Sequence, residues 1–399
     1  MIKIINDEKF KSINISVNFT FNIDKKIIAS SILSSTIMTK SNKDFGNEMN
    51  IRKYLSTMYG AVLEHNIEKI GDLYNVEIKL KFLNKKFIEE DILYKCVDFL
   101  KSIIYSPDFN EDIISVEKNL LIEKINNKKE EKLLYCVEKT EELTTKGEPF
   151  SIYLYGDIED ATNITVNDIK DSYSKLINES NISVVVSGNL SSYNFDELKD
   201  LINEKLNLNN ITLKNKITEE GKVEEVIEKT DSSQSVIGIG MTTNNENYYA
   251  NHVYNCILGG NPASKLFQNF REKESLAYTV KSRYYRYKGM FVIFAGIDSK
   301  NFEKAKKVLN KEISDMNSNI SDIELNSAKE ALIASIMEME DSLTARSRYV
   351  FVNSLFNDNT TLEEMRYNIS KVTKEDIYKA SKSVNIKLIY FLDGGENND

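Results

Sequence analysis

Ile164-Thr-Val-Asn-Asp-Ile169, followed by a helical stretch and the run Ile182-Ser-Val-Val-Val-Ser-Gly188, recurs half a chain later. The second copy is Val372-Thr-Lys-Glu-Asp-Ile377, a helical stretch, and Ile386-Lys-Leu-Ile-Tyr-Phe-Leu-Asp-Gly394. In both, Thr-x-x-Asp places a hydroxyl at a helix start and a carboxylate three residues on, a capping pattern. Both then end in a β-branched and aromatic run closed by glycine, which reads as a strand. Working outward, Ile51 to Ala61 with the strand run Tyr74 to Phe82 corresponds to Leu266 to Ala277 with the run Tyr278 to Ile297. Asn110 to Ile125 corresponds to Ser321 to Ile336, where Ser321 and Glu324 form a capping box ahead of a helix that should bury Leu325, Ala328, Leu332 and Ile336. The chain therefore reads as a duplication. The expected fold class is α+β, with two tandem homologous domains, each a mainly antiparallel sheet packed with helices, around a cleft. The expected boundaries are an N-terminal domain at 1–206, a polar linker at 207–222 and a C-terminal domain at 223–399.

Of 399 residues, 52 are Lys or Arg and 61 Asp or Glu, a net charge of −9. That sign disfavours nucleic acid or an anionic membrane surface as the main partner. Cys96, Cys136 and Cys256 are scattered, with no Cys-x-x-Cys, and read as small buried apolar residues rather than as a disulfide or zinc framework. No apolar run is long enough to span a bilayer, and the first ten residues are charged, so a cytoplasmic location is expected.

The segment Ser264-Lys-Leu-Phe-Gln-Asn-Phe-Arg-Glu-Lys-Glu-Ser-Leu-Ala-Tyr278 carries the chemistry. Arg271 closes a helix, a turn follows, and Tyr278 opens a β-rich run. A lone Arg-x6-Tyr would suggest only a surface ion pair and a half-buried aromatic. Here Gly259, Gly260, Ser264, Leu266, Phe267, Leu276 and Ala277 accompany it. With these flanks the segment resembles the substrate-gripping half of the pitrilysin/insulinase zinc peptidases, and the duplication extends the resemblance over almost the whole chain.

That resemblance implies a first-domain helix bearing His-x-x-Glu-His, in which two histidines one turn apart bind zinc and the glutamate activates water. The chain has only His65 and His252 and cannot contain the motif. Aligned on Lys26 to Met38, the motif falls on Ser31-Ile-Leu-Ser34-Ser35. If Glu117 matches the family's first glutamate on the next ligand helix, the third ligand position falls on Lys124, and Glu123 lies one residue away. No metal or other cofactor is expected in this chain. His65 reads as a surface or core-edge residue, His252 as structural, and Glu117 and Glu123 as helix-surface charges. Tyr284, Tyr285 and Tyr287, with Arg283 and Arg286, read as an alternating strand.

By the same resemblance, Arg271 and Tyr278 are the catalytic residues retained. In active relatives such a pair hydrogen-bonds substrate backbone and stabilises the oxyanion. Some family members divide the site between a zinc-bearing chain and one that keeps only the Arg–Tyr pair, and this chain has the second pattern. Within the family it resembles the YmfF-type members described as associated with aminopentanol modification of elongation factor P. The implied partners are a zinc-bearing paralogous subunit (YmfH-type) and an extended peptide substrate. An inert peptide-binding or scaffold role is the alternative reading.

Overall fold

The computed structural model describes residues 1–231 and 234–395. Five strands form one sheet: β1 (Ile2–Asn6), β2 (Ser12–Asn22), β3 (Val62–Ile70), β4 (Leu73–Leu83) and β5 (Asn181–Gly188). Five more form a second: β6 (Glu224–Lys229), β7 (Ser235–Thr243), β8 (Ala277–Tyr285), β9 (Met290–Ile297) and β10 (Val384–Asp393). The order in the first is β1-β5-β2-β4-β3, and in the second β6-β10-β7-β9-β8. These are the same topology. In each sheet the outermost pair, β1 with β5 and β6 with β10, is parallel, and the remaining pairs are antiparallel.

The helix signals are realised as the sequence implies. Thr165 with Asp168 and Thr373 with Asp376 form reciprocal capping boxes on helices Val166–Glu179 and Lys374–Lys382. Ser321 and Glu324 close a third, ahead of helix Asp322–Glu340, which buries Leu325, Ala328, Leu332 and Ile336. Each box satisfies amide donors that a helix start leaves without a partner.

By spatial contact the chain divides into two compact units. One comprises residues 1–127, 154–214 and 339–359, and the other residues 128–153, 215–338 and 360–399. Each unit thus includes a helix from the opposite half of the sequence. In the first unit, helix Leu343–Leu355 packs on β5, with Ser347 Oγ 2.7 Å from Ser187 Oγ, and Arg348 pairs with Glu68 at 2.6 Å. In the second, helix Lys132–Thr144 lies across β7, β9 and β10. Tyr135 and Cys136 pack with Val236, Leu388, Tyr390 and Leu392, and Val137 packs with Phe150, Met290, Val292 and Phe294.

Two glycines in β7 admit that helix. A Cβ on Gly238 would stand 2.1 Å from Thr140 Oγ1, and one on Gly240 would stand 1.8 Å from Thr144 Oγ1. Real side-chain carbons do not approach so closely, so the helix sits in a notch that only glycine leaves open. All three cysteines are buried and unpaired.

Candidate functional site

Arg271 lies in a π-helical run, Leu266–Lys273, whose apolar face buries Leu266 and Phe270. The sequence expectation placed Arg271 at the helix end. The helix instead continues to Lys273, and the strand opens at Ala277, one residue before Tyr278. Two backbone bonds, Glu274 N–H to Asn269 O at 3.0 Å and Leu276 N–H to Phe270 O at 3.1 Å, fold the short turn back on the helix. Ser275 sits there at φ 51°, a left-handed conformation uncommon for a side-chain-bearing residue. The turn is thus tightly determined, and it sets where helix and strand point their side chains.

The Arg271 guanidinium lies 4.6 Å from the Phe267 ring centroid, with Nε 3.6 Å from Glu272 Oε1. Its side chain is 39% exposed. An exposed pair at that distance is worth little and leaves most of the guanidinium donors facing water.

Tyr278 is half-exposed at 49%, and its hydroxyl forms no hydrogen bond with any described residue. It occupies a β-bulge: Ala277 faces Ile297 and Thr279 faces Gly296, so Tyr278 has no cross-strand partner. Partial burial raises its phenol above the ordinary value, which keeps it a neutral O–H donor at physiological pH. Arg271 and Tyr278 therefore stand on either side of one hydrogen-bonded turn, and their donors are not engaged with each other.

Tyr284, Tyr285, Arg283 and the following Arg286 are engaged elsewhere. The Tyr285 hydroxyl donates to Glu141, and the Tyr284 hydroxyl accepts from Asn251 at 3.0 Å. Arg283 lies 5.3 Å from the Phe294 centroid, and Arg286 lies 3.9 Å from that of Tyr248. The alternating strand expected through Tyr287 ends at Tyr285, because residues 286–288 form a turn of 3₁₀ helix. His252 is packed between Tyr248 and Tyr284, and burial, then Arg286, lowers its pKa to about 4.

In the other unit, helix Lys25–Lys40 carries the serines at the zinc-motif positions. Ser31 is 3% exposed, and Ser34 and Ser35 are wholly buried. Ser34 Oγ donates to Ser31 O at 3.0 Å. Ser35 Oγ lies 2.8 Å from Ser31 O, 3.0 Å from Ile32 O and 3.0 Å from His65 Nε2. His65 takes the core-edge place rather than the surface one: its partly buried ring reaches from β3 to the helix, and burial, then Lys40, lowers its pKa to about 4. Glu117 is also less exposed than a helix-surface charge, with its carboxylate 3.9 Å from Lys40, while Glu123 is exposed as expected. Lys124 holds its ammonium 4.3 Å from the Tyr155 ring centroid. Beside these residues a cavity of about 480 Å³ is lined by Thr36, Lys40, Glu48, Arg52, Leu63 and His65. Its charges are paired, with Glu48 2.6 Å from both Lys40 and Arg52.

Residues 163–332 match the family described as the Peptidase M16 inactive domain. The chain is also 26% identical to the probable inactive metalloprotease YmfF of Bacillus subtilis (strain 168), over 98% of this chain and 95% of that protein. The chain is thus similar, over nearly its whole length, to inactive members of the M16 group of pitrilysin-like peptidases. A second relative in the same organism, the uncharacterized zinc protease YmxG, is 22% identical over 82% of this chain and 81% of its own length. Among solved structures, a conserved protein from Enterococcus faecalis V583 superposes with TM-score 0.91 at 25% identity, covering 100% of this chain and 97% of that one. A peptidase M16 inactive domain from Pseudomonas fluorescens shares the fold, with TM-score 0.83 at 16% identity over 99% and 96% of the two chains.

The zinc of the family's active members does not fit this chain. Serine hydroxyls bonded to their own helix carbonyls are not thiolate, imidazole or carboxylate ligands, and an ammonium stands at the third position. Among the described residues no group of three or more His, Cys, Asp or Glu side chains is placed to hold a metal ion. The chain is a homologue of the family's inactive metallopeptidases. Among the described residues no helix is long and apolar enough to cross a membrane.

Sequence reasoning missed the Ser35–His65 contact, for which nothing local signals a partner thirty residues away. It also missed the bulge at Tyr278 and the glycine opposite it. An isolated glycine inside the apolar run Met290–Ile297 was the available signal for both.

Proposed function

We propose that this chain is the non-zinc subunit of a two-chain M16 peptidase, and that it supplies Arg271 and Tyr278 to a zinc site on a partner chain. The observation that carries this reading is the contrast in commitment along one strand. Tyr284 and Tyr285 are tied into the core, while Tyr278 stays half-exposed with its hydroxyl free of hydrogen bonds to described residues, and Arg271 stays partly exposed, on either side of a tightly determined turn. A structural tyrosine is expected to satisfy its hydroxyl or bury its ring, whereas a substrate-facing donor keeps its hydrogen bond available.

In this reading an extended peptide meets the pair through its backbone. Tyr278 donates its O–H to the carbonyl oxygen under attack, and Arg271 offers charged N–H donors to the same region. Both bonds strengthen as the oxygen gains negative charge, which makes them transition-state contacts rather than binding contacts alone. The partner is a zinc-bearing paralogue, and the site of action is the cytoplasm. The resemblance to YmfF-type proteins makes peptide processing linked to elongation factor P modification the setting to examine first.

The test is to purify this chain and a zinc-bearing paralogue, alone and mixed, and to measure metal content and peptide turnover. This chain alone is expected to hold no stoichiometric zinc and to cleave nothing, and the mixture is expected to cleave an extended peptide. Tyr278→Phe and Arg271→Ala are each expected to cost on the order of 10²–10³ in turnover. Both side chains are substantially exposed, so assembly by size exclusion and the melting temperature should be unchanged. If both variants assemble and cleave at the wild-type rate, the shared-site reading fails and a peptide-holding scaffold replaces it.

A further inference from the structure

In β9 the run Met290-Phe-Val-Ile-Phe-Ala-Gly-Ile297 fills the sheet interior with buried apolar side chains, except at Gly296. A Cβ there would stand 2.1 Å from Tyr278 Cζ, 2.3 Å from its Oη and 2.5 Å from its Cε2. The tip of the phenol therefore rests directly on the glycine backbone. The bulge explains how it arrives. Tyr278 has no partner across the ladder, and its ring folds over onto the neighbouring strand where Gly296 leaves room. Gly238 and Gly240 admit threonines of a packed helix, but the atoms nearest a Cβ on Gly296 all belong to Tyr278. Protection of an edge strand would account for a bulge, but it does not call for a glycine beneath the ring.

We propose that Gly296 is a positioning residue for Tyr278, a seat that fixes where the tyrosine presents its free hydroxyl. The proposal rests on the reading of Tyr278 as a substrate donor, but the seat can be tested apart from it. Even a methyl group at position 296 would occupy the space of the ring. The ring would have to rotate about χ1 and χ2, and the hydroxyl would leave the place the bulge and turn prepare for it.

The first experiment uses the full chain without a partner. Ala-Gly occurs once in the sequence, at Ala295-Gly296, so labelling with carbonyl-¹³C alanine and ¹⁵N glycine selects the Gly296 amide alone. With the phenol seated, ring currents displace that resonance. In Tyr278→Leu it is expected to return to the range of ordinary strand glycines. An unchanged resonance would overturn the proposal, whether or not any Gly296 variant folds.

The second experiment uses the mixture with a zinc-bearing paralogue. Gly296→Ala is expected to lower kcat on the order of 10²-fold, with KM little changed, and to add nothing in a Tyr278→Phe background. If Gly296→Ala cleaves at the wild-type rate while Tyr278→Phe does not, the positioning role is overturned and the shared site stands. If Tyr278→Phe also cleaves at the wild-type rate, the shared site falls, and the amide resonance alone decides whether the seat exists.

Discussion

Tyr278 and Tyr285 sit on one strand with the same side-chain chemistry and opposite uses. Tyr285 donates to Glu141 and is locked, while Tyr278 folds over a glycine, stays half-exposed and makes no hydrogen bond to a described residue. What distinguishes them is whether an acceptor lies within reach of the ring, which no local pattern encodes. The histidines show the same dependence on surroundings. His65 and His252 have their pKa values lowered from 6.5 to about 4, mainly by burial, so both are neutral in the folded chain where the unfolded chain would be protonated. Between those values the unfolded state binds more protons, and stability falls as pH drops. The chain is expected to lose stability between about pH 6.5 and pH 4, by at most ~3 kcal/mol per imidazole. Urea melts at pH 7 and pH 4.5 on wild type and His252→Phe measure this. The variant should show the shallower pH dependence, and equal slopes would refute the assignment.

At the scale of elements, the sheet with its glycine notch makes the sharpest demand. Gly240→Ala would drive a methyl group into Thr144, whose Cβ and Cγ2 also lie within 3.1 Å of the added carbon. It is expected to destabilise the chain by about 1–3 kcal/mol, as overpacking does. Thr144→Ala removes the clashing atoms and should recover much of that loss in the double variant, read from denaturant midpoints. If Gly240→Ala melts like wild type, the close approach of helix Lys132–Thr144 is wrong. Local chemistry made much of this level legible. The Thr165–Asp168 and Thr373–Asp376 boxes and the buried face of helix Asp322–Glu340 follow from spacing three or four residues apart, and the strand runs from their β-branched and aromatic composition. The end of the Arg271 helix and the break at residues 286–288 were less legible. The first runs into the turn that folds back on the helix ahead of the bulge at Tyr278, and the second is the hairpin turn that joins β8 to its partner β9.

At the scale of the whole molecule, each unit holds a helix from the other half of the sequence. A fragment spanning 1–206 lacks helix Leu343–Leu355, and one spanning 223–399 lacks helix Lys132–Thr144 with the apolar contacts it makes to Val236, Leu388, Tyr390 and Val292. Expressed separately, neither fragment is expected to show a cooperative melt, and mixing them should restore one. Circular dichroism on the fragments, singly and together, decides it. Two independently cooperative fragments would refute it.

The sequence by itself determined the duplication, the capped helices, the strand runs and the lack of a His-x-x-Glu-His motif, and it singled out Arg271 and Tyr278 as the pair to test. These are written in residue identity and short-range spacing, where a cap, a period or a missing imidazole can be recognised without a partner. Only the tertiary structure decided that His65 reaches Ser35, that Lys124 lies over Tyr155, that Gly296 seats Tyr278 and that a helix crosses into each unit. Each of these joins residues distant in sequence. Their energies come from excluded volume and burial, which exist only once the chain has brought the two surfaces together.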